Sequence, residues 1–397
     1  VRNVEMDKMR KLVQKHFTGD DVIMYGSFCQ RLVGLAKQAG VGCLTDDTES
    51  NWMAMVDYHD LELESENASI SRGVELARKL LQASNAAQEI DFDDMLYLAV
   101  KEGLSLPKFD FVFVDEAQDT NMIQRAILRK ILKPSTRVIA VGDPAQAIYG
   151  FRGADSDSLD LIAREFNCKR LPLTVSYRCP TSVVEYAQRY VSHIEAAPNA
   201  PVGAVGDLSH SWTNKVFAAN DLVVCRTTAP LISLGYSLLR DRIPARILGR
   251  EIGNGLKSLI NKLNAKGIDN LISKLDAWCE REVEKALAAE KLAKVQQIED
   301  KADAVRCLID GMPETNRTVP ALLQVIDTLF SEGTNVVTLC TIHKAKGLEA
   351  DNVFWLNASQ CPSKWARQDW QKQQEINLCY VAVTRAKRSL TIIEEKK

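Results

Sequence analysis

No two of the ten cysteines stand in a Cys-x-x-Cys pair. The chain opens on VRNVEMDKMRKLVQKHF, which is charged and amphipathic where a secretory signal would be apolar. Together these exclude a zinc site of paired thiolates and a disulfide framework, and the cysteines read as reduced thiols. No apolar run approaches the roughly 18 residues that cross a bilayer, so no membrane partner is expected. Excess charge is also missing. Fifty Lys and Arg face 52 Asp and Glu, a net charge of −2, so composition does not point to a basic nucleic-acid coat. A positive cleft on a neutral protein remains compatible with that balance. Repeats and low-complexity tracts are lacking as well. What is present is 46% hydrophobic and 26% charged residues over 397 positions. That excludes disorder as the main state and leaves room for more than one domain, at about 100–200 residues each.

Residues 1–105 read as mostly helical. Apolar positions recur at helical spacing through Met24–Leu35 and Gly73–Leu81, around an acidic stretch that holds a short helix at Asn51–Tyr58. From Phe109 the period changes. Phe111–Val114 is a short Phe- and Val-rich run that stops on acids, the pattern of a strand buried on both faces. A helix is expected at about Met122–Leu132 and a second strand at Arg137–Val141, making a βαβ unit and a parallel sheet. A third strand is expected at Cys168–Thr174 and a helix at Pro180–Val191. Pro198–Asp207 reads as a loop, and Asp221–Cys225 as a buried strand. Residues 256–310, rich in Lys, Glu, Ala and Leu, read as two or three helices with one solvated face, followed by a helix at Pro320–Phe330. Strands at Asn335–Ile342, Asn352–Leu356 and Ser389–Ile393, with a helix at Glu375–Val383, return the chain to α/β.

Several short stretches carry groups suited to nucleotide and nucleic-acid chemistry. Asp115 and Glu116 follow a strand directly. One carboxylate there can hold hydrated Mg²⁺ and its neighbour can orient or deprotonate water. Gln146, after the second strand, can hydrogen-bond a phosphate or the attacking water. Tyr149, Phe151 and Arg152 lie among glycines, as base-stacking groups beside a cation do. Tyr177 and Arg178 pair a stacking ring with a guanidinium that forks onto phosphate. His343 to Glu349 forms a turn with backbone donors, basic side chains and an acid suited to a ribose hydroxyl. Arg385 follows an apolar helical run, where a plain helix cap is the default for such a residue alone and an arginine finger the functional alternative. Taken singly, each of these also fits a structural role.

The ordered set is more specific. VDEAQDTN, VGDPAQAIYGFRGA, VSYRCPTSV, TLCTIHKAKGLEADNVF and CYVAVTRAK occur in this order over residues 112–387. The set resembles motifs II to VI of the UvrD/Rep/PcrA branch of superfamily 1 DNA helicases. IDFDDMLYLAV resembles the segment before motif II, and MYGSFCQRL a degraded motif Ib with Gly26 at the histidine position. The resemblance implies an α/β fold of two RecA-like parallel-sheet domains with ATP bound between them. The first, residues 1–170, would be incomplete and carry a helical insertion at about 30–100. The second, 171–397, would carry a small one at about 250–335. It further implies Mg²⁺ on Asp115, water activation by Glu116, and phosphate contacts by Gln146, Arg178 and Arg385. Tyr177 would stack on adenine, with Gly347 and Glu349 near the sugar and phosphates. Tyr149, Phe151, Arg152 and His343 would face single-stranded DNA, Phe151 replacing the usual tryptophan.

The implied function is ATP-dependent 3′→5′ unwinding of partly duplex DNA, in the cytoplasm of a bacterial or phage-infected cell and on the nucleoid when bound to DNA. The chain departs from the family in having no G-x-x-x-x-G-K-[ST] loop and no Gly-Lys pair at all. The expectation is a C-terminal portion of a longer helicase, whose missing N-terminal segment, or a partner chain, supplies the phosphate loop. The alternative is an ATPase-inactive or split remnant that binds single-stranded DNA or a partner. Loss of neighbouring sheet elements is expected to expose apolar surface and to make the chain alone poorly soluble.

Overall fold

The computed structural model describes residues 2–61, 63, 68–150, 153, 157–208, 212–288 and 292–394. The chain divides into two compact units, Val1–Leu171 and Pro172–Lys397.

The first unit opens with five helices, α1 (Lys8–His16), α2 (Gly19–Gln38), α3 (Glu49–Tyr58), α4 (Ile70–Ala86) and α5 (Phe92–Lys101). Local chemistry sets their starts. Thr48 and Ser69 accept N-cap hydrogen bonds from Asn51 and Arg72, and Asp91 forms a capping box with Asp94. Their apolar faces converge on Phe28, Leu32, Trp52, Leu80 and Tyr97, all buried. Gly26 lies inside α2 against α1, where a Cβ would meet Val13 Cγ1 at 3.2 Å. The motif Ib position is therefore a helix-packing point.

A charged cluster is buried beneath this core. Lys8 Nζ donates to Asp94 Oδ2 at 2.6 Å and to the Ser84 carbonyl at 2.7 Å. Lys37 Nζ lies 2.6 Å from Asp91 Oδ2 and 2.8 Å from Asp94 Oδ1. Burial pushes the Asp94 carboxyl up, but Lys37 and Lys8 outweigh it and hold it below the usual carboxylate range.

Then come β1 (Phe109–Val114), α6 (Met122–Lys130), β2 (Leu132–Ala140) and α7 (Ser158–Glu165). β1 and β2 pair in parallel as a sheet of two strands. The expected burial on both faces is corrected here. Phe109, Phe111 and Phe113 are exposed, Phe113 by 73%, as are Ile139 and Val141 beside them. With a period of two these phenylalanines share one face, which stays largely open although the Arg137 guanidinium lies 5.8 Å from the Phe111 ring centroid. The sequence pattern belongs to a covered sheet, while this unit supplies only one layer.

In the second unit, β3 (Val175–Ser176) pairs with β4 (Glu195–Ala196) on either side of α8 (Thr181–Ala187). The strand expected at Cys168–Thr174 lies further on, at β3. Pro172 interrupts the earlier run and offers no N–H to a ladder. β5 (Ala204–Asp207) replaces part of the expected loop. There follow β6 (Leu222–Cys225), α9 (Ala229–Arg240), β7 (Ala245–Ile247), α10 (Arg250–Leu263), α11 (Ile268–Ala288), α12 (Leu292–Gly311), α13 (Val319–Leu329), β8 (Val337–Thr341), α14 (Ile342–Ala345), β9 (Ala350–Leu356), α15 (Asp369–Val383) and β10 (Ala386–Ile393).

Six of these strands form one parallel sheet in the order β5-β10-β9-β6-β8-β7. Central β6 is buried along its whole length. α9 and α13 pack on one side, and their core continues through Leu256, Leu271, Leu275, Val305 and Leu308 into the helical stretch. α8, α14 and α15 form another packed group, with contacts to β8, β9 and β10. Two acids, Glu375 buried and Asp300 half-buried, fasten helices here. Asp300 of α12 accepts from the Thr228 and Ala229 amides at the start of α9, and Glu375 of α15 takes the Arg226 guanidinium at 2.6–3.1 Å.

Two expectations follow. Replacing Asp94 by Asn leaves Lys8 without a carboxylate and Lys37 with Asp91 alone in a dry site, and should cost about 3–5 kcal/mol in chemical denaturation. Because the Asp94 carboxyl is depressed in the fold, its contribution is complete above the unfolded carboxylate pKa of about 4 and is lost as pH falls through the folded value. The variant should therefore show a flatter acid limb in its stability profile. Separately, the uncovered phenylalanine face should bind 8-anilinonaphthalene-1-sulfonate and drive self-association of the chain alone. A dye-silent, sharply monomeric peak in size-exclusion chromatography would contradict that.

Candidate nucleotide-handling residues

In the first unit the parallel register sets Val114 beside Ala140, and the ladder continues past both strand ends. Val141 N–H donates to the Val114 carbonyl at 2.8 Å, and Ala117 N–H to the Val141 carbonyl at 2.9 Å. The two loops that follow are thereby held side by side. Asp115 and Glu116 are exposed at the tip of β1. Asp115 Oδ1 accepts the Glu116 amide at 2.9 Å, and its other oxygen makes no hydrogen bond among the described residues. Glu116 has φ 48°, the left-handed region, a backbone strain of about 1–3 kcal/mol that the surrounding bonds must hold.

The residue that joins the loops is Gln118, buried at 3% exposure. Its Nε2 donates to Glu116 Oε2 at 2.6 Å, and its Oε1 accepts the Asp143 amide at 3.0 Å. Gly142 leaves the space for it, since a Cβ there would sit 2.3 Å from Gln118 Oε1. Asp143 in turn accepts from Ala145 N–H and from Gln146 Nε2, each at 2.9 Å. The structure thus brings Asp115, Glu116 and Gln146 into one hydrogen-bonded group. Sequence reasoning missed Gln118 and Asp143 as its struts, although both stand inside the quoted motifs. Tyr149 is half-buried nearby in sequence, and Gly153 packs on Leu35 and Gln38 of α2. Phe151 and Arg152 lie outside the described residues.

In the second unit Tyr177 is 86% exposed, so its ring is open for stacking. The turn it occupies is anchored by Cys179, whose Sγ donates to the Thr384 carbonyl at 3.6 Å and whose amide donates to Ser176 Oγ. Gly203, at φ +67°, presses on Pro180 from the other side; a Cβ there would lie 2.4 Å from the proline ring. Arg178 Nε donates to Glu349 Oε2 at 2.8 Å. Glu349 also pairs with Lys387. Hydrogen bonds from Lys387 and Arg178 hold its carboxyl below the usual range. Gly347, at φ +83°, turns the chain into Glu349.

Arg385 sits as a cap at the end of α15, one of the two roles that its sequence position allowed. It is 1% exposed. Its Nε donates to the Val381 carbonyl at 3.0 Å, Nη1 to the Leu348 carbonyl at 3.4 Å and Nη2 to Thr384 Oγ1 at 3.0 Å. As built, it ties the end of α15 to the Gly347–Glu349 turn.

Glu349, Arg385 and Lys387 cluster at the amino ends of β9 and β10. His343, half-buried in α14, follows the carboxyl end of β8. In a parallel sheet these are opposite ends, so the nucleic-acid candidate stands apart from the nucleotide candidates. No three His, Cys, Asp or Glu side chains among the described residues form a metal cage. A hydrated Mg²⁺ needs only one or two carboxylates, and exposed Asp115 fits that lesser demand.

Parallel α/β units carrying an acid pair, an Asp–Gln loop and an Arg–Glu–Lys cluster have the groups of a nucleotide-handling protein. Residues 30–167 match the UvrD/REP helicase N-terminal domain and residues 258–397 the UvrD-like helicase C-terminal domain. The chain belongs to the UvrD/Rep/PcrA-like helicase family. It is 27% identical over 320 residues to F-box DNA helicase protein 1 of Schizosaccharomyces pombe, covering 72% of this chain and 34% of that one. It is 22% identical over 428 residues to ATP-dependent DNA helicase PcrA of Staphylococcus epidermidis, covering 77% and 59%. DNA helicase II of Escherichia coli K12 is 23% identical over 435 residues, covering 78% and 60%. The chain thus spans about a third to three fifths of the length of these relatives.

Gln118→Leu keeps the volume and removes both struts. It should lower the melting temperature by several degrees, as loss of two buried hydrogen bonds worth about 1–3 kcal/mol requires, and should free the Glu116 loop to faster amide exchange.

Proposed function

We propose that this chain is the part of an ATP-dependent DNA helicase that activates water for ATP hydrolysis and couples turnover to 3′→5′ movement on single-stranded DNA. The observation that carries the reading is the Glu116–Gln118–Asp143–Gln146 network. It joins an acid and an amide through one strut at the carboxyl ends of parallel strands, which supports roles in water activation and phosphate contact.

In this reading Glu116 orients the attacking water and Gln146 contacts the γ-phosphate. Asp115 holds Mg²⁺, which when bound neutralises charge on the phosphates. Tyr177 stacks on adenine, Arg178 contacts phosphate, and Gly347 and Glu349 lie near the sugar and phosphates. Arg385 reaches a phosphate only by leaving the carbonyls that now hold it. Tyr149, Phe151, Arg152 and His343 contact bases of the single strand, and the parent protein acts on partly duplex DNA in the cytoplasm. The sequence holds no phosphate loop, so the reading requires one from a preceding segment of the same polypeptide or from a partner chain.

The test is Glu116→Gln in a preparation that carries that loop. ATP turnover should fall by about 10²–10⁴-fold, with single-strand affinity within twofold of the parent. Undiminished turnover would remove Glu116 from its role. DNA binding with no turnover in the parent itself would favour a non-catalytic binding module.

A further inference from the structure

We propose that Lys387 is a second phosphate-contacting cation beside Arg178, and that Glu349 is the positioning residue that holds the pair side by side for a nucleoside triphosphate. The proposal deepens the nucleotide reading above and rests on it.

One carboxylate serves two cations. Oε2 of Glu349 takes Arg178 Nε at 2.8 Å, and Oε1 takes Lys387 Nζ. The trio carries a net charge of +1. Attachment through Nε leaves both terminal nitrogens of Arg178 without a hydrogen bond among the described residues, and Lys387 keeps unused N–H donors. Those are the donors that fork onto phosphate oxygens. Stability does not account for the arrangement. All three side chains are 38–41% exposed, where such pairs contribute about 0–1 kcal/mol.

The backbone, however, is built to bring them together. Ala350 N–H donates to the Arg385 carbonyl at 3.1 Å, and Ala350 pairs with Ala386 across β9 and β10. That sets Glu349 and Lys387 at adjoining strand starts. Cys179 fixes the Arg178 turn to Thr384, three residues before Lys387. Arg385, the cation that sequence reasoning singled out, has its guanidinium buried against carbonyls. Lys387 stands in the open position instead.

The experiment is titration of the loop-bearing protein with inorganic tripolyphosphate and, separately, ATP, by calorimetry. Tripolyphosphate reads the cations without adenine or hydrolysis. Lys387→Met should weaken tripolyphosphate about tenfold, and Lys387→Arg should restore most of it. Glu349→Gln discriminates by sign. A carboxylate that merely competes with phosphate gives tighter binding when removed. A carboxylate that positions two cations gives weaker binding despite the lost negative charge, and weaker binding is expected. Lys387→Met at parental affinity, or Glu349→Gln with raised affinity, overturns the proposal. Arg178→Ala weakening both ligands while Lys387→Met changes neither leaves the nucleotide reading intact and removes only Lys387. Tripolyphosphate binding that depends on Lys387, with no ATP turnover in the parent, has the opposite meaning. Lys387 is exposed, so circular dichroism melts of its variants should match the parent.

Discussion

A parallel strand pair has to be covered on both faces, and this constraint separates the two units. In the second, β6 lies at the centre of six parallel strands and is buried throughout. In the first, β1 and β2 stand as a pair, with Phe109, Phe111 and Phe113 turned to solvent. Burying three such rings would contribute several kcal/mol, since about 25 cal/mol is gained per Å² of apolar surface removed from water. The same two strands must nevertheless hold Asp115, Glu116 and Gln146 to a fixed geometry. Hydrogen bonds therefore carry a task that packing carries in the second unit. The strained backbone of Glu116 is held by the Asp115 carboxylate, the Ala117–Val141 ladder bond and the Gln118 strut.

The helical half of the first unit solves its own stability problem by charge. Lys8, Lys37, Asp91 and Asp94 gather α1, α2 and the start of α5 around one dry network. Asp91 and Asp94 also cap α5 reciprocally, so a single pair of acids ends a loop, starts a helix and fixes two others. Such a network contributes little beyond what apolar residues of equal volume would, but it is intolerant of losing one member. That intolerance specifies which helix faces meet.

Much of this was legible in the sequence, and what was not has identifiable causes. Period changes at Phe109 and near Asn335 marked the strands, and the order of short motifs marked the family. Exposure of Phe113 was not legible, because a run such as FDFVFV reports what a strand is suited to, not whether a second layer is present. Strand β3 was read several residues early because Leu171–Thr174 is apolar enough to mimic a strand that Pro172 forbids. Strand β5 hid in a stretch whose Gly and Pro read as loop. The catalytic candidates were found by residue type, but their supports were not. Gln118 acts through a contact with Asp143, 25 residues away, and Arg178 through Glu349, 171 residues away. No local pattern encodes such pairings.

Arg385 and Lys387 show why residue type alone misplaces function. They are two apart where α15 gives way to β10, but Arg385 precedes the strand and folds back on α15, while Lys387 lies within the strand. One guanidinium is drawn into the end of α15 and hydrogen-bonded to carbonyls; the ammonium stays at the surface on Glu349. Sequence reasoning favours the arginine because a guanidinium suits phosphate. The fold favours the lysine because it alone of the two is presented. Both assignments hold together if Arg385 is a structural tie in this conformation and a phosphate ligand only after the Gly347–Glu349 turn shifts. That turn is the element both residues share, through the Leu348 carbonyl for Arg385 and the Glu349 carboxylate for Lys387.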